Sequence, residues 1–277
     1  MQKPIVLLTH PQRDNDPLKS RLEELAFQVI HIPLVSVGYE LPELIQQKIA
    51  ILPPPNWLFF TSRHGFQAFF QAKQSVMLSV LPTCKLAVIG QKTNAALLET
   101  VGFSAQFVSQ QSSALAAAQS FNTQKGKPNQ SIWWPCGSLA DQAFGAKLLE
   151  KNGFVSPIQV YHTEKTPDSA NHKDWQTLLD LSNKLPVWVV FTSSSAVSAF
   201  SENPCCNRLV QQCSGLQYFC IGQPTAATLM EKMTQSKINQ EKASLKKGNT
   251  HALVPKTPSF TALANLIEDT AKRWHNN

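Results

Sequence analysis

The sequence has no apolar stretch approaching the ~20 residues that a bilayer-spanning helix requires. Its first apolar run, Ile5-Val6-Leu7-Leu8, is too short for a signal-peptide core and is ended by His10, Pro11 and Arg13. A soluble, cytoplasmic protein without membrane contact is expected. The six cysteines, Cys84, Cys136, Cys205, Cys206, Cys213 and Cys220, form no CxxC pair. That leaves no recognised zinc pattern, and a chain of this size needs no disulfides. Reduced thiols and no metal site are therefore expected. Nor is there a GxGxxG fingerprint: Gly90 and Gly222 stand alone, so no dinucleotide site is indicated. Charged residues are few, at 16%, against 43% hydrophobic, which excludes a disordered chain. Acidic residues are outnumbered 18 to 25 by Lys and Arg, for a net charge of +7. The excess suits an anionic partner, and charge alone does not choose among nucleic acid, a membrane surface and a polycarboxylate.

What the sequence does have, it has twice. Trp57-Leu58-Phe59-Phe60-Thr61-Ser62 returns as Trp188-Val189-Val190-Phe191-Thr192-Ser193, and both copies run on to Ala-Phe, at Ala68-Phe69 and Ala199-Phe200. Ile89-Gly90-Gln91-Lys92-Thr93 returns as Ile221-Gly222-Gln223-Pro224-Thr225. The first motif is displaced by 131 positions (57 to 188) and the second by 132 (90 to 222). Two motifs moved by nearly the same distance imply a duplicated unit and a cleft between two similar halves. At 277 residues the chain accommodates two domains of ~100–150 residues.

The grammar throughout is strand, Gly or Ser/Thr turn, helix. Short all-apolar runs at 5–8, 57–60, 86–89, 132–134 and 187–191 suit strands buried on both faces, as in parallel sheets. Leu18, Leu22, Leu25 and Ala26 recur at helical spacing, as do Ala226, Leu229, Met230 and Met233. Helices are also predicted over 41–50, 93–100, 139–151 and around Leu263, Leu266 and Ile267, with Ser112-Ser113 ahead of an Ala-rich helix. Residues 235–249, with Lys237, Lys242, Lys246 and Lys247, read as a solvated basic loop that does not bind nucleic acid. Alternating strands and helices give an α/β architecture of parallel sheets flanked by helices. The unit order is short-A, long-B, short-A′, long-B′. A linear boundary near residue 125 and an insertion, with A packing on B′ and B with A′ inserted, both satisfy the pattern.

Taken together, Phe60-Thr61-Ser62 and Phe191-Thr192-Ser193, the Ile-Gly-x-x-Thr pairs at Gly90/Thr93 and Gly222/Thr225, and Val160-Tyr161-His162-Thr163 resemble the uroporphyrinogen-III synthase family. The turns Leu8-Thr9-His10-Pro11 and Trp134-Pro135-Cys136-Gly137 sit where that family has similar turns. The resemblance covers nearly the whole chain except the basic segment. It implies two similar α/β domains, 1–35 plus 166–277 and an inserted 41–159, joined by a two-stranded connector at 35–40 and 160–165. The active site would lie in a cleft between them. It also implies a lyase of tetrapyrrole (haem) biosynthesis that needs no metal or organic cofactor. Hydroxymethylbilane loses water from its terminal hydroxymethyl group and closes with the last pyrrole inverted, through an azafulvene cation and a spiro intermediate. Hydroxymethylbilane synthase would hand over the substrate, and the protein would act as a monomer.

The substrate carries many carboxylates, so its cleft needs donors, and helix N-termini supply them. Thr61, Ser62, Thr93, Thr192, Ser193, Ser194 and Thr225 are all predicted at strand-to-helix turns, where each can also act as an N-cap. Gly90 and Gly222 serve the same turns. Tyr161 matches the family's hydrogen-bond donor to the departing hydroxyl, since a phenol donates without being charged. Its alternative role is a connector ring packed at a domain edge. Where the family often has Arg in the first turn and after the Trp-rich strand, this chain has His10 and Cys136. Pro224 stands where many relatives have Thr. Arg13, Arg63, His64 and Lys92 are candidates for compensation. Cys136 has no base at fixed spacing to make it a nucleophile. Two other readings compete: a non-catalytic anion or tetrapyrrole binder of the same fold, and a sugar-phosphate isomerase-like domain, which would want a Glu or His base at a strand-to-helix turn.

Overall fold

Apolar runs without polar alternation make the strands of this protein, as expected for sheets covered on both faces. The computed structural model describes residues 3–11, 16–71, 83–111, 113–213, 215–240 and 252–275. In chain order the strands are β1 (Ile5–Leu8), β2 (Gln28–His31), β3 (Val35–Tyr39), β4 (Trp57–Phe60), β5 (Lys85–Ile89), β6 (Phe107–Ser109), β7 (Ser131–Gly137), β8 (Phe154–Lys165), β9 (Val187–Phe191), β10 (Leu216–Cys220) and β11 (Ala252–Leu253). The helices are α1 (Pro17–Glu24), α2 (Pro42–Ala50), α3 (Arg63–Gln71), α4 (Gln91–Val101), α5 (Ala114–Gln124), α6 (Gln142–Leu149), α7 (His172–Ser182), α8 (Ser194–Glu202), α9 (Pro204–Gln212), α10 (Gln223–Gln240) and α11 (Phe260–His275). Every residue of β1, β4, β7 and β9 is buried.

The chain divides into two units, Met1–Ser36 with Glu164–Asn277, and Val37–Thr163. The first contains a five-stranded sheet in the order β11-β10-β9-β1-β2, and the other sheet has six strands in the order β3-β8-β7-β4-β5-β6. Neighbours β1/β2, β1/β9, β9/β10 and β10/β11 are parallel, as are β7/β8, β4/β7, β4/β5 and β5/β6. Read side by side, β2-β1-β9-β10-β11 and β8-β7-β4-β5-β6 are one layout built twice, with β3 added at an edge. The repeated motifs fall on equivalent strands, β4 with β9 and β5 with β10. The chain passes between units through β3 and β8, which are neighbours in the six-stranded sheet.

Helices cover both faces of each sheet. In the first unit, Leu18 and Leu22 of α1 and Leu263 and Ile267 of α11 pack with Val6, Leu8, Trp188 and Val190, while Trp175 and Leu178 of α7 and Val197 of α8 pack with Leu7, Val189 and Phe191. In the second, Phe121 and Phe144 meet Phe59 and Trp134 on one face, and Phe66, Phe69 and Leu97 meet Leu58, Phe60 and Val88 on the other. Fully burying such a side chain stabilises by about 1.5–3 kcal/mol.

Three elements depart from the sequence expectations. The basic segment begins as helix, because α10 runs to Gln240 rather than ending before residue 235; residues 241–249 lie outside those described. The helix expected from Leu139 starts at Gln142, because Asp141 caps it, its carboxylate accepting from Ala143 N–H at 2.9 Å. The second strand, which the apolar run Val29 to Leu34 predicts through Leu34, stops at His31, and the chain turns before β3.

Candidate active site

Strand-to-helix turns gather at the carboxyl ends of parallel strands, the usual ligand side of open α/β sheets. In the second unit, β4 ends at Phe60 and Thr61-Ser62 leads into α3. Ser62 Oγ accepts from Gly65 N–H at 3.0 Å, the expected cap. The same oxygen lies 3.4 Å from the Tyr161 hydroxyl. Thr61 Oγ1 accepts from Trp134 Nε1 at 3.4 Å. Thr61 and Tyr161 line one pocket of about 130 Å³ with Trp134, Gly137, Asp141 and Thr163. At roughly 30 Å³ per water, it has room for about four waters. That is below the ~300–1,000 Å³ of sites that enclose whole organic ligands.

Tyr161 reaches this place because Gly137 has no side chain. β7 and β8 pair residue by residue until Cys136/Gly137, where the register shifts and Gly137 comes to face Tyr161. A Cβ on Gly137 would lie 2.5 Å from the tyrosine ring. His64, in the first turn of α3, sits with its ring centroid 6.0 Å from that of Tyr161, and its Nδ1 is 3.4 Å from the Tyr39 hydroxyl. Arg63 begins α3 and is exposed, as is Lys92 in α4. Cys136 is 5% exposed, and burial pushes its thiol up to about 11, which suits packing and not nucleophilic attack.

In the first unit, Thr192 follows β9 and Ser193 caps α8, its Oγ accepting from Ala196 N–H at 3.2 Å. Ser194 Oγ lies 2.9 Å from Thr228 Oγ1 and 3.4 Å from the Pro224 carbonyl, which ties the start of α8 to the start of α10. Thr9 Oγ1 donates to the Val190 carbonyl at 2.7 Å and fixes the end of β1 against β9. Pro224 deprives the first turn of α10 of one N–H donor.

Several expected residues sit elsewhere than the sequence suggested. Thr93 and Thr225 are not turn residues: α4 and α10 start two residues earlier, at Gln91 and Gln223, so both threonines occupy the first helical turn and are 5% exposed. Gly90 is the N-cap of α4 with φ 78°, a backbone that a side chain disfavours, whereas Gly222 has no such constraint. His10 is 1% exposed, its Nε2 directed at the Asp16 carboxylate and its ring stacked on Phe260 at 5.8 Å. Arg13 lies outside the described residues.

Sequence reasoning missed Asp16 and Asp141, both N-caps, although an Asp just ahead of a periodic apolar run is a helix-start signal. It missed Gly137, Tyr39 and the grouping of His10 with Asp16 and His31, which no spacing rule announces.

Comparison with known proteins completes the description. The family model described as uroporphyrinogen-III synthase HemD matches residues 16–265. Among solved structures, a mutant uroporphyrinogen III synthase from the extremely thermophilic bacterium Thermus thermophilus is 12% identical, with a TM-score of 0.63 over 99% of this chain and 100% of that one. The uroporphyrinogen-III synthetase of Helicobacter pylori is 17% identical, with a TM-score of 0.59 over 98% of this chain and 100% of the other. At these identities the structures speak to the fold, two mostly parallel sheets flanked by helices.

Proposed function

The chain belongs to the uroporphyrinogen-III synthase family, and from that premise we propose how its own residues carry the reaction. The activity is that of a lyase in haem biosynthesis, cyclising hydroxymethylbilane to uroporphyrinogen III. The observation that carries the residue assignment is the Tyr161 hydroxyl, which shares a pocket with Thr61 and lies beside Ser62.

In this reading Tyr161 donates a hydrogen bond, and then a proton, to the terminal hydroxyl of the substrate as it leaves as water. The carbon left behind is an azafulvene cation. It is attacked by the substituted position of the last pyrrole; rearrangement of the spiro intermediate inverts that ring, and loss of the proton from the α-carbon at which it finally closes restores the pyrrole and reprotonates Tyr161. Ser62 orients the phenol. The first-turn amides of α3 and α8, next to Thr61-Ser62-Arg63 and Thr192-Ser193-Ser194, take substrate carboxylates with the help of the helix dipoles. Gly90 and Gly222, with Thr93 and Thr225 behind them, shape the starts of α4 and α10 for the same purpose. The pocket beside Tyr161 is too small for a tetrapyrrole, so it takes one ring edge. Because departure of water from this group is chemically easy, most of the catalysis comes from folding the substrate so that one closure outruns the other.

We further infer a monomer in the cytoplasm that takes its substrate from hydroxymethylbilane synthase; no described helix is long and apolar enough to cross a membrane. Sedimentation at micromolar concentration checks the monomer. The activity is tested by incubation with enzymatically made hydroxymethylbilane, followed by isomer analysis of the oxidised porphyrins. Type III product in excess supports the reading, and type I alone, the spontaneous product, removes it.

A further inference from the structure

At the carboxyl end of β1 three side chains converge inside the first unit. Asp16 caps α1 through one oxygen only: Oδ1 accepts from Leu18 N–H at 3.0 Å and from Lys19 N–H at 3.3 Å. That leaves Oδ2 facing inward, toward His10 Nε2 and, at 4.0 Å, His31 Nδ1. His31 Nε2 donates to the His10 carbonyl at 2.8 Å. A carbonyl can only accept, so Nε2 carries the hydrogen and Nδ1 presents its lone pair. Its nearest charged neighbour is a carboxylate oxygen, Asp16 Oδ2 at 4.0 Å, an acceptor near an acceptor. The His31 side chain is 5% exposed and its Nδ1 has no hydrogen-bond partner. Leaving such an atom buried and unmatched is costly.

We propose that His10 Nε2, His31 Nδ1 and Asp16 Oδ2 form a binding site for a divalent first-row transition ion of the zinc class. The three atoms lie within 4.8 Å of one another. Bonds of about 2.0–2.2 Å from nitrogen and carboxylate oxygen to zinc put neighbouring ligands roughly 3–3.5 Å apart, within reach of small side-chain rotations. Two imidazoles and one carboxylate suit zinc, cobalt or nickel better than calcium or magnesium. Two of the three have supporting contacts of the kind that metal ligands use: the carbonyl of His10 sets the tautomer of His31, and the helix cap holds the carboxylate; the His10 ring is flanked by Phe260 and His31, and its Nδ1 is buried without a hydrogen-bond partner. The ion enters by displacing the proton held between His10 and Asp16, which leaves to solvent, and a water completes its coordination. Bound there, it clamps the end of β1 to the end of β2 and the start of α1.

The test is titration of the full-length, chelator-stripped protein with zinc chloride alone, followed by calorimetry in two buffers of different ionisation enthalpy. Cobalt chloride serves as the spectroscopic probe. One equivalent of zinc should bind with release of about one proton, and cobalt should show the visible bands of a four-coordinate ion. Asp16→Asn keeps an oxygen for the helix cap, and His31→Gln keeps the side chain polar. Each should weaken zinc by more than about 100-fold, since even outer-shell changes cost 10–100-fold, while circular dichroism shows the fold intact. The double variant Cys205→Ser/Cys206→Ser should bind as the parent does. Absence of saturable binding, equal binding by the Asp16 and His31 variants, or loss of binding in the cysteine variant would overturn the proposal.

Discussion

The turn after β1 and the turn after β7 are the same construction with opposite contents. Each follows a fully buried strand, leads to an Asp that caps the next helix, and lies beside a parallel neighbour, β2 or β8. In the first unit the space is filled, with His10 pressed between Phe260 and Asp16 and His31 closing the side. In the second unit Cys136 holds the place equivalent to His10, Gly137 follows it at the end of β7, and the space is an open pocket with Tyr161 at its wall. The duplicated backbone fixes strand, turn and cap. What fills the end of the sheet, His10 with Asp16 and His31 in one copy and a glycine after the buried Cys136 in the other, decides whether it is packed or available to a ligand.

The most damaging way to erase the difference is to fill the second turn. Gly137→Val puts atoms where the Tyr161 ring now lies, and since a 1 Å misplacement can cost about 100-fold, kcat/KM for type III formation should fall by at least that much. The melting temperature should move far less; equal loss of both would show that Gly137 matters to folding alone. Next in size, Tyr161→Phe should slow turnover by roughly 10- to 100-fold, near or below the lower end of general acid catalysis, with stability unchanged. An unaltered rate takes the phenol out of the chemistry.

The caps give a smaller and directly comparable contrast. Asp16→Ala removes a buried cap and leaves His10 without its partner, for a loss of about 2–4 kcal/mol. Asp141→Ala, at an exposed cap, should cost about 1 kcal/mol. Urea unfolding of both variants measures the gap, and equal losses would mean that the filling of the first turn adds nothing. The smallest effect concerns Cys136, whose thiol is raised from 9.0 to about 11 by burial. The unfolded chain gives up this proton first, so the contribution of Cys136 to stability is intact below about pH 9 and is lost as pH rises toward 11. For Cys220, at the end of β10 and raised to about 12, the loss begins at the same pH and continues to about 12. Native-state alkylation at neutral pH should leave both thiols unlabelled.

The fold class was legible because buried parallel strands write themselves as unbroken apolar runs, and because the two Phe-Thr-Ser turns and the two Ile-Gly turns sit at matching displacements. Periodicity could not choose between a linear division and an insertion, because parallel strands pair across any separation in the chain, as β1 does with β9 and β4 with β7. At the candidate site, Ser62 and Ser193 are legible from local cap signals, whereas Tyr161 stands out only through the family resemblance. Thr93 and Thr225 read as turn residues in the sequence because a Gly-Gln start carries no cap signal. At the place where the family often has Arg, His10 reads from sequence as a candidate for substrate carboxylates, because its partners, Asp16 and His31, come from a helix cap and the end of another strand, and only tertiary structure unites them. Gly137 went unread because its importance lies in an atom it does not have.

The double passage through β3 and β8 also sets the order in which the protein can be made. An interior strand of the first sheet, Ile5–Leu8, leaves the ribosome before any of the chain that supplies its neighbour, the central strand Val187–Phe191. The whole of 37–163 intervenes and holds nearly all the strands of its own sheet, so it can fold first. A nascent chain halted after residue 163 should therefore show a protease-resistant body preceded by a sensitive, sticky leader, a waiting period in which chaperones have the most to protect.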